Sequence, residues 1–313
     1  MAIVLHHRLL PAALAFALAL ASLVPPALTL PQHLDEVQYT YISAYYGGKI
    51  SRLDFRPTIG EDQYLDPGWA PLAWWSLTQP MGPRFIYAAV LGVTRAPPPA
   101  LPFILDDFLS TDPAVTLTDY TRTVMRFTAI FFAALGCALL AFRFRWAGLL
   151  AIALFLLVPQ ARDDLARGWA EGPLLFAFGL AAVTYGTRWF APVCGLALAM
   201  KLTALPLLLL AFHNGFGESR FRHVAGFLVA WLVWTALMPP AWFSAGPLYL
   251  VMMIQARFIE FGRQSSALNA EVWGSVFGHY LPSRYLWPAE LALALTVAWL
   301  AARARHWQRL RLS

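Results

Sequence analysis

From residue 9 to residue 30 the chain reads LLPAALAFALALASLVPPALTL, a run without one charged side chain. That length matches the ~20 residues an α-helix needs to cross the hydrocarbon core of a bilayer. Comparable apolar runs recur at 123–142, 146–160, 171–186, 189–212, 224–243 and 286–302. Backbone surrounded by lipid must satisfy its own N–H and C=O groups, so such runs form helices. The sequence predicts an all-α, polytopic transmembrane helix bundle in a single membrane domain, 1–313. Composition agrees. The chain is 59% hydrophobic and 13% charged, where soluble domains lie near about one quarter charged.

The basic, apolar start also has the look of a signal peptide. The apolar region runs long, however, and no clear small-x-small cleavage site precedes Gln32, so an uncleaved first helix is expected. The net charge is +6, but the basic residues stand in short clusters between apolar runs. That is how orientation in a membrane is encoded, and it argues against a nucleic-acid partner. The two cysteines, Cys137 and Cys194, fall inside apolar runs. They read as small buried hydrophobes rather than a disulfide or a thiolate metal site.

Between the first two runs lies a polar region, 31–121, in which acids outnumber bases. Its middle, PGWAPLAWWSLTQPMGPRFIYAAVLGV, is apolar and aromatic but broken by Pro and Gly. Short interfacial helices are expected there. The run 189–212 decides the topology, being either one helix or two short pieces turning near Lys201. Pro192 and Pro206 each stand near the start of a half, where proline is tolerated. Two pieces put Arg8, Arg143, Arg145, Arg188, Arg220, Arg222 and the arginines after 302 on one side. The positive-inside rule makes that side cytoplasmic. Both termini are then cytoplasmic, and 31–121, 161–170 and 244–285 share the outer face.

On that face the polar side chains gather. Asp35 and Glu36 follow the first span, and Arg84 lies in the first loop. Asp163, Asp164 and Glu171 precede or open the fourth span, and Lys201 marks the turn. The segment 244–285 adds Arg257, His279, Arg284 and Tyr285.

These segments resemble the integral-membrane GT-C glycosyltransferases, in particular the branch of protein O-mannosyltransferases and lipid A aminoarabinose transferases. HLDEVQY is similar to the family's acidic motif after the first helix, with Glu36 as its second acid where Asp is usual. TQPMGPRFIYAAVLG is similar to the His-Pro-Pro-Leu-Gly-Lys segment, with Gln79 at the His and Arg84 at the Lys. AEGPLLFAFGLAA resembles the acid before Pro-Leu-Leu-Phe and points to Glu171. GLALAMKLTALPLLLL and GHYLPSRYLWP are similar to the family's small-residue stretch ending in Lys and to its late outer loop.

The resemblance implies sugar transfer, with inversion, from a polyprenyl-phosphate carrier to an acceptor hydroxyl on a glycan, lipid or protein. The site would face outward from a plasma (inner) membrane. A carboxylate takes the hydroxyl proton, and Asp35 is the expected base at headgroup depth, with Glu36 and Glu171 beside it. Arg84, Lys201, Arg257, His279, Arg284 and Tyr285 are the expected contacts of the donor phosphate. Asp163 and Asp164 are secondary acids, and the carboxylates leave room for a divalent metal ion.

Each residue also has a plainer reading. Asp35 and Glu36 would be solvated charges at a helix exit. Asp163, Asp164 and Glu171 would cap the fourth helix. Arg84 and Lys201 would snorkel to water, and His279 would be incidental. A transporter or flippase, or a non-catalytic relative, is the alternative function.

Overall fold

In the computed structural model, residues 2–33, 82–96, 117–201 and 221–236 are described, with Glu36, Val37, Tyr39, Thr40, Ser43, Ala204, Leu207 and Leu210. The chain divides into two compact units, Met1–Arg257 and Phe258–Ser313, and every described residue lies in the first.

Regular structure among the described residues is helical. The helices are α1 (Ala2–Thr29), α2 (Gly82–Thr94), α3 (Asp119–Phe144), α4 (Trp146–Leu156), α5 (Pro159–Ala166), α6 (Glu171–Thr184), α7 (Phe190–Met200) and α8 (Phe221–Ala236). Two stretches, His7–Thr29 of α1 and Asp119–Phe144 of α3, are long and apolar enough to cross a membrane. The shorter apolar helices α4, α6 and α7 run 11, 14 and 11 residues. At ~1.5 Å per residue, 11 residues reach only about 16 Å.

The expectation of one span over 146–160 is corrected. The helix stops at Leu156, and a new one opens at Pro159. Proline has no N–H to give and its φ is already helical, so it begins helices readily. The run 189–212 is also not one regular helix. After Met200 the backbone of Lys201 is extended, at φ −160° and ψ 141°. The predicted run 286–302 lies outside the described residues.

The centre of the bundle is α3, which packs on α1, α6, α2 and α4. Small side chains allow this. On α1 the buried residues Ala15, Ala19, Leu23 and Ala27 recur every fourth position and form one stripe. It meets Ile130, Ala133, Ala134, Cys137 and Ala141 of α3. On the other flank α3 and α6 approach almost backbone to backbone. A Cβ at Gly136 would stand 2.5 Å from the Leu175 carbonyl oxygen, and one at Gly179 would stand 2.7 Å from that of Gly136. Small residues at such crossings let the two backbones approach closely and gain van der Waals contact. Cys137 and Cys194 are free and buried, as the sequence predicts. Large apolar side chains point away from the bundle, among them Leu10 and Leu14 of α1, Phe131 of α3 and Leu150 and Leu154 of α4.

Substitution separates this close approach from ordinary helix propensity. Gly136→Val drives new atoms into backbone and should cost about 1–3 kcal/mol. Gly92 of α2 has nothing within 4 Å of its Cβ position, so Gly92→Ala should be neutral or stabilise by up to ~1 kcal/mol. Thermal unfolding of the two detergent-purified variants measures both; equal effects would contradict the packing.

Candidate functional site

The end of α1 builds the site. The last carbonyls of any helix lack intrahelical partners. Here one of them, and the two carbonyls just past the helix, meet the guanidinium of Arg126, two turns into α3. Its Nη1 donates to the carbonyls of Ala27, at 2.7 Å, and Leu30, at 2.8 Å. Its Nη2 donates to Pro31 at 3.0 Å. The remaining donors go to Glu36, from Nε at 2.7 Å and Nη2 at 2.8 Å. An arginine has five N–H donors in a fixed fork, and all five are used. Arg126 and Glu36 are each only 1% exposed.

Glu36 is held from three sides. Each carboxylate oxygen accepts two hydrogen bonds. Oε1 takes Arg126 Nε and the Gly168 N–H, and Oε2 takes Arg126 Nη2 and the His33 N–H. The reach back to His33 is half of a capping box and starts a helical turn in which Thr40 bonds the Glu36 carbonyl. Burial alone would push the Glu36 carboxyl up. The hydrogen bonds from Arg126, His33 and Gly168, with the Arg126 charge, outweigh it and hold Glu36 below its ordinary value. With its oxygens engaged this way, Glu36 is shaped to position the chain rather than to take a substrate proton.

The Gly168 contact brings in the stretch between α5 and α6. Trp169 Nε1 donates to the Asp164 carbonyl, and the His33 ring stands edge-on to Trp169 at 5.0 Å. From α2, Tyr87 donates its hydroxyl to the Trp169 carbonyl. The Tyr39 ring meets Tyr87 at 6.4 Å, and the Arg84 guanidinium lies over Tyr39, 4.8 Å from its centroid. Tyr87 feels the charges of both Glu36 and Glu171. Arg84 is fully buried, so it does not snorkel to water.

A second ion pair closes the site. Glu171, in the first turn of α6, pairs with Lys201 where α7 ends. The start of α2 lies against the same end of α7, since a Cβ on Gly82 would stand 2.6 Å from the Ala199 carbonyl oxygen. Asp164 is near enough to feel Glu171, Arg167, Lys201 and Asp163. Its carboxyl is raised above the ordinary range, first by burial and then by Glu171. Asp163 pairs with Arg162 at 3.6 Å. Asp163 and Asp164 do not cap the fourth apolar helix, because both lie inside the separate helix α5 and the residue before Glu171 is Ala170.

The structure thus brings together Glu36, Arg84, Asp164, Glu171 and Lys201, and adds Tyr39, Tyr87, Arg126, Arg167 and Trp169. Arg126 carried a signal in the sequence, an ionisable residue inside an apolar run, which is a functional candidate by default. Asp35, Arg257, His279, Arg284 and Tyr285 lie outside the described residues. Among the described residues no group of three His, Cys, Asp or Glu side chains is arranged to hold a metal ion.

Removing one partner of a buried pair strands the other, which costs about 3–5 kcal/mol. Arg126→Met and Glu36→Gln should both destabilise strongly, and Glu36→Gln should also flatten the acid limb of stability. The folded pKa of Glu36 lies below its ordinary 4.5. Its stabilisation is therefore complete above that value and lost as pH falls through the folded one. Unfolding midpoints of wild type and variants, followed from neutral to acid pH, check both effects. Compared with known proteins, the chain matches no family model, no curated protein and no solved structure.

Proposed function

We propose that this chain is a polytopic membrane glycosyltransferase of the GT-C type, with both termini cytoplasmic and its site on the outer face of the inner membrane. It moves a sugar from a polyprenyl-phosphate carrier to a hydroxyl of a glycan, lipid or protein. One observation carries the reading. The Glu171–Lys201 pair and Asp164 gather beside the clamped exit of α1, next to the helix that bears the buried Arg84. Acids and cations at the exit of a membrane-length helix suit a reactant that is itself anchored in lipid. The outward-facing leucines and phenylalanines of α1, α3 and α4 support a lipid environment for the bundle.

In this reading the acceptor oxygen attacks the anomeric carbon from the face opposite the phosphate. The new C–O bond forms as the bond to the phosphate oxygen breaks, and the configuration inverts. The hydroxyl proton passes to Asp35, next in sequence to the clamped Glu36. A positioned base of this kind supplies roughly 10²–10⁴-fold. The polyprenyl phosphate leaves with the electron pair, and its charge is met by Lys201 and Arg84, with Arg257, Arg284, His279 and Tyr285 of the later outer segment. Arginine adds two parallel hydrogen bonds to such an anion.

Purified protein given a labelled polyprenyl-phosphate sugar should transfer or hydrolyse it, and Asp35→Asn should lower the rate about 10²-fold or more. Absence of any turnover across sugar donors would sink the enzyme reading. Full activity in Asp35→Asn would remove that residue from the base role. The topology has its own check: Gly217→Cys in intact cells should react only with membrane-permeant thiol reagents.

A further inference from the structure

The two ion pairs of the site differ in kind. Arg126 and Glu36 are sealed, with every donor and four acceptor positions engaged. Lys201 and Glu171 are 35% and 27% exposed and meet through one ammonium and one carboxylate oxygen. Lysine is a compact charge on a flexible stem. A pair this open is held less firmly than a sealed one. It is made at the end of α7, where the Lys201 backbone has already left the helix.

We propose that the Glu171–Lys201 pair is an exchangeable latch: a phosphate-type anion takes the Lys201 ammonium from Glu171, and Asp164 takes up one proton from solvent as it does so. The proposal rests on the glycosyltransferase reading of the same site and adds a proton to its binding step.

The surrounding charges require the compensation. From α5 the site is faced by Asp164 and by Asp163 with its partner Arg162, and from the residue just past α5 by Arg167. From α6 it is faced by Glu171, and from the end of α7 by Lys201. Tyr87 of α2 also lies within range of Glu171. Arg84 lies over Tyr39, His33 stands against Trp169, and Glu36 is bound to Arg126. When Lys201 turns to the anion, Asp164 keeps Arg167 as a nearby cation, and Glu171 loses its ion-pair partner. Arg167 also stacks on Trp169, 5.5 Å from the ring centroid. Two crowded carboxylates do not both stay ionised cheaply.

Asp164 is the group prepared to respond. Burial and Glu171 already raise its carboxyl, while Arg167 and Lys201 oppose them. Losing the Lys201 contribution raises it further in the bound state. The complex then holds more protons than the free protein, so affinity falls as pH rises through the window between the free and bound values. The limit is about tenfold per pH unit for one proton. A lipid headgroup and a free phosphate share this chemistry.

Farnesyl methyl phosphate is a suitable probe, because a phosphodiester keeps one negative charge throughout the working range. Any proton counted then belongs to the protein. Titration calorimetry of the full chain in detergent, in two buffers of different ionisation heat, gives the proton count. Binding with proton uptake is expected within that window, falling away at lower and higher pH, and lost in Asp164→Asn. The wild-type count stands even if that variant does not fold. Dimethyl phosphate binding with the same uptake would assign a free-anion site; uptake with the farnesyl probe alone would assign a lipid headgroup. Farnesyl methyl phosphate bound with no uptake would overturn the latch and leave the glycosyltransferase reading standing. No binding at all would overturn both.

Discussion

The fate of the last carbonyls of α1 governs the structure around the site. A helix that ends where polar chain begins leaves several carbonyls without donors. Arg126 covers that of Ala27, with the carbonyls of Leu30 and Pro31 just past the helix, and spends its other two donors on Glu36. One side chain thus ties three things together: the end of α1, the first turn of the following segment, and α3 itself. Because Glu36 also accepts from Gly168, the stretch before α6 is held to the same point. Such a buried pair is weak evidence for stability when set against an apolar replacement. Its contribution here is geometric, since no apolar pair would hold three carbonyls and two backbone N–H groups in one register.

From that fixed point the rest of the site follows by contact. Tyr87 bonds the carbonyl of Trp169, and its ring meets Tyr39, over which Arg84 lies. The close crossing of α3 and α6 at Gly136 and Gly179 sets the height at which Glu171 emerges. The packing of Gly82 on Ala199 brings α2 to the end of α7. A sealed pair behind and an open pair in front give a site with one rigid wall and one adjustable charge.

Much of this was legible in the chain. Apolar run lengths gave α1 and α3, and the burial of Cys137 and Cys194 followed from their place in such runs. Proline in the sequence also marked the start of α5, although the apolar character of 146–160 concealed it. Asp163 and Asp164 looked like caps only because α5 was not recognised as a helix of its own. Glu36 could be named but not assigned, since its partner stands 90 residues away. Local pattern carries helix period and caps. It does not carry which carbonyls a distant arginine will find, nor that Arg84 will be covered by Tyr39 rather than by water.

Arg126 and Glu36 act as one unit. A double-mutant cycle on folding stability, combining Arg126→Met with Glu36→Gln, measures their coupling. The double variant should lose much less than the sum of the singles, a coupling toward the upper end of the ~0.5–3 kcal/mol range seen for contacting residues. Losses that add to within about 0.5 kcal/mol would contradict it.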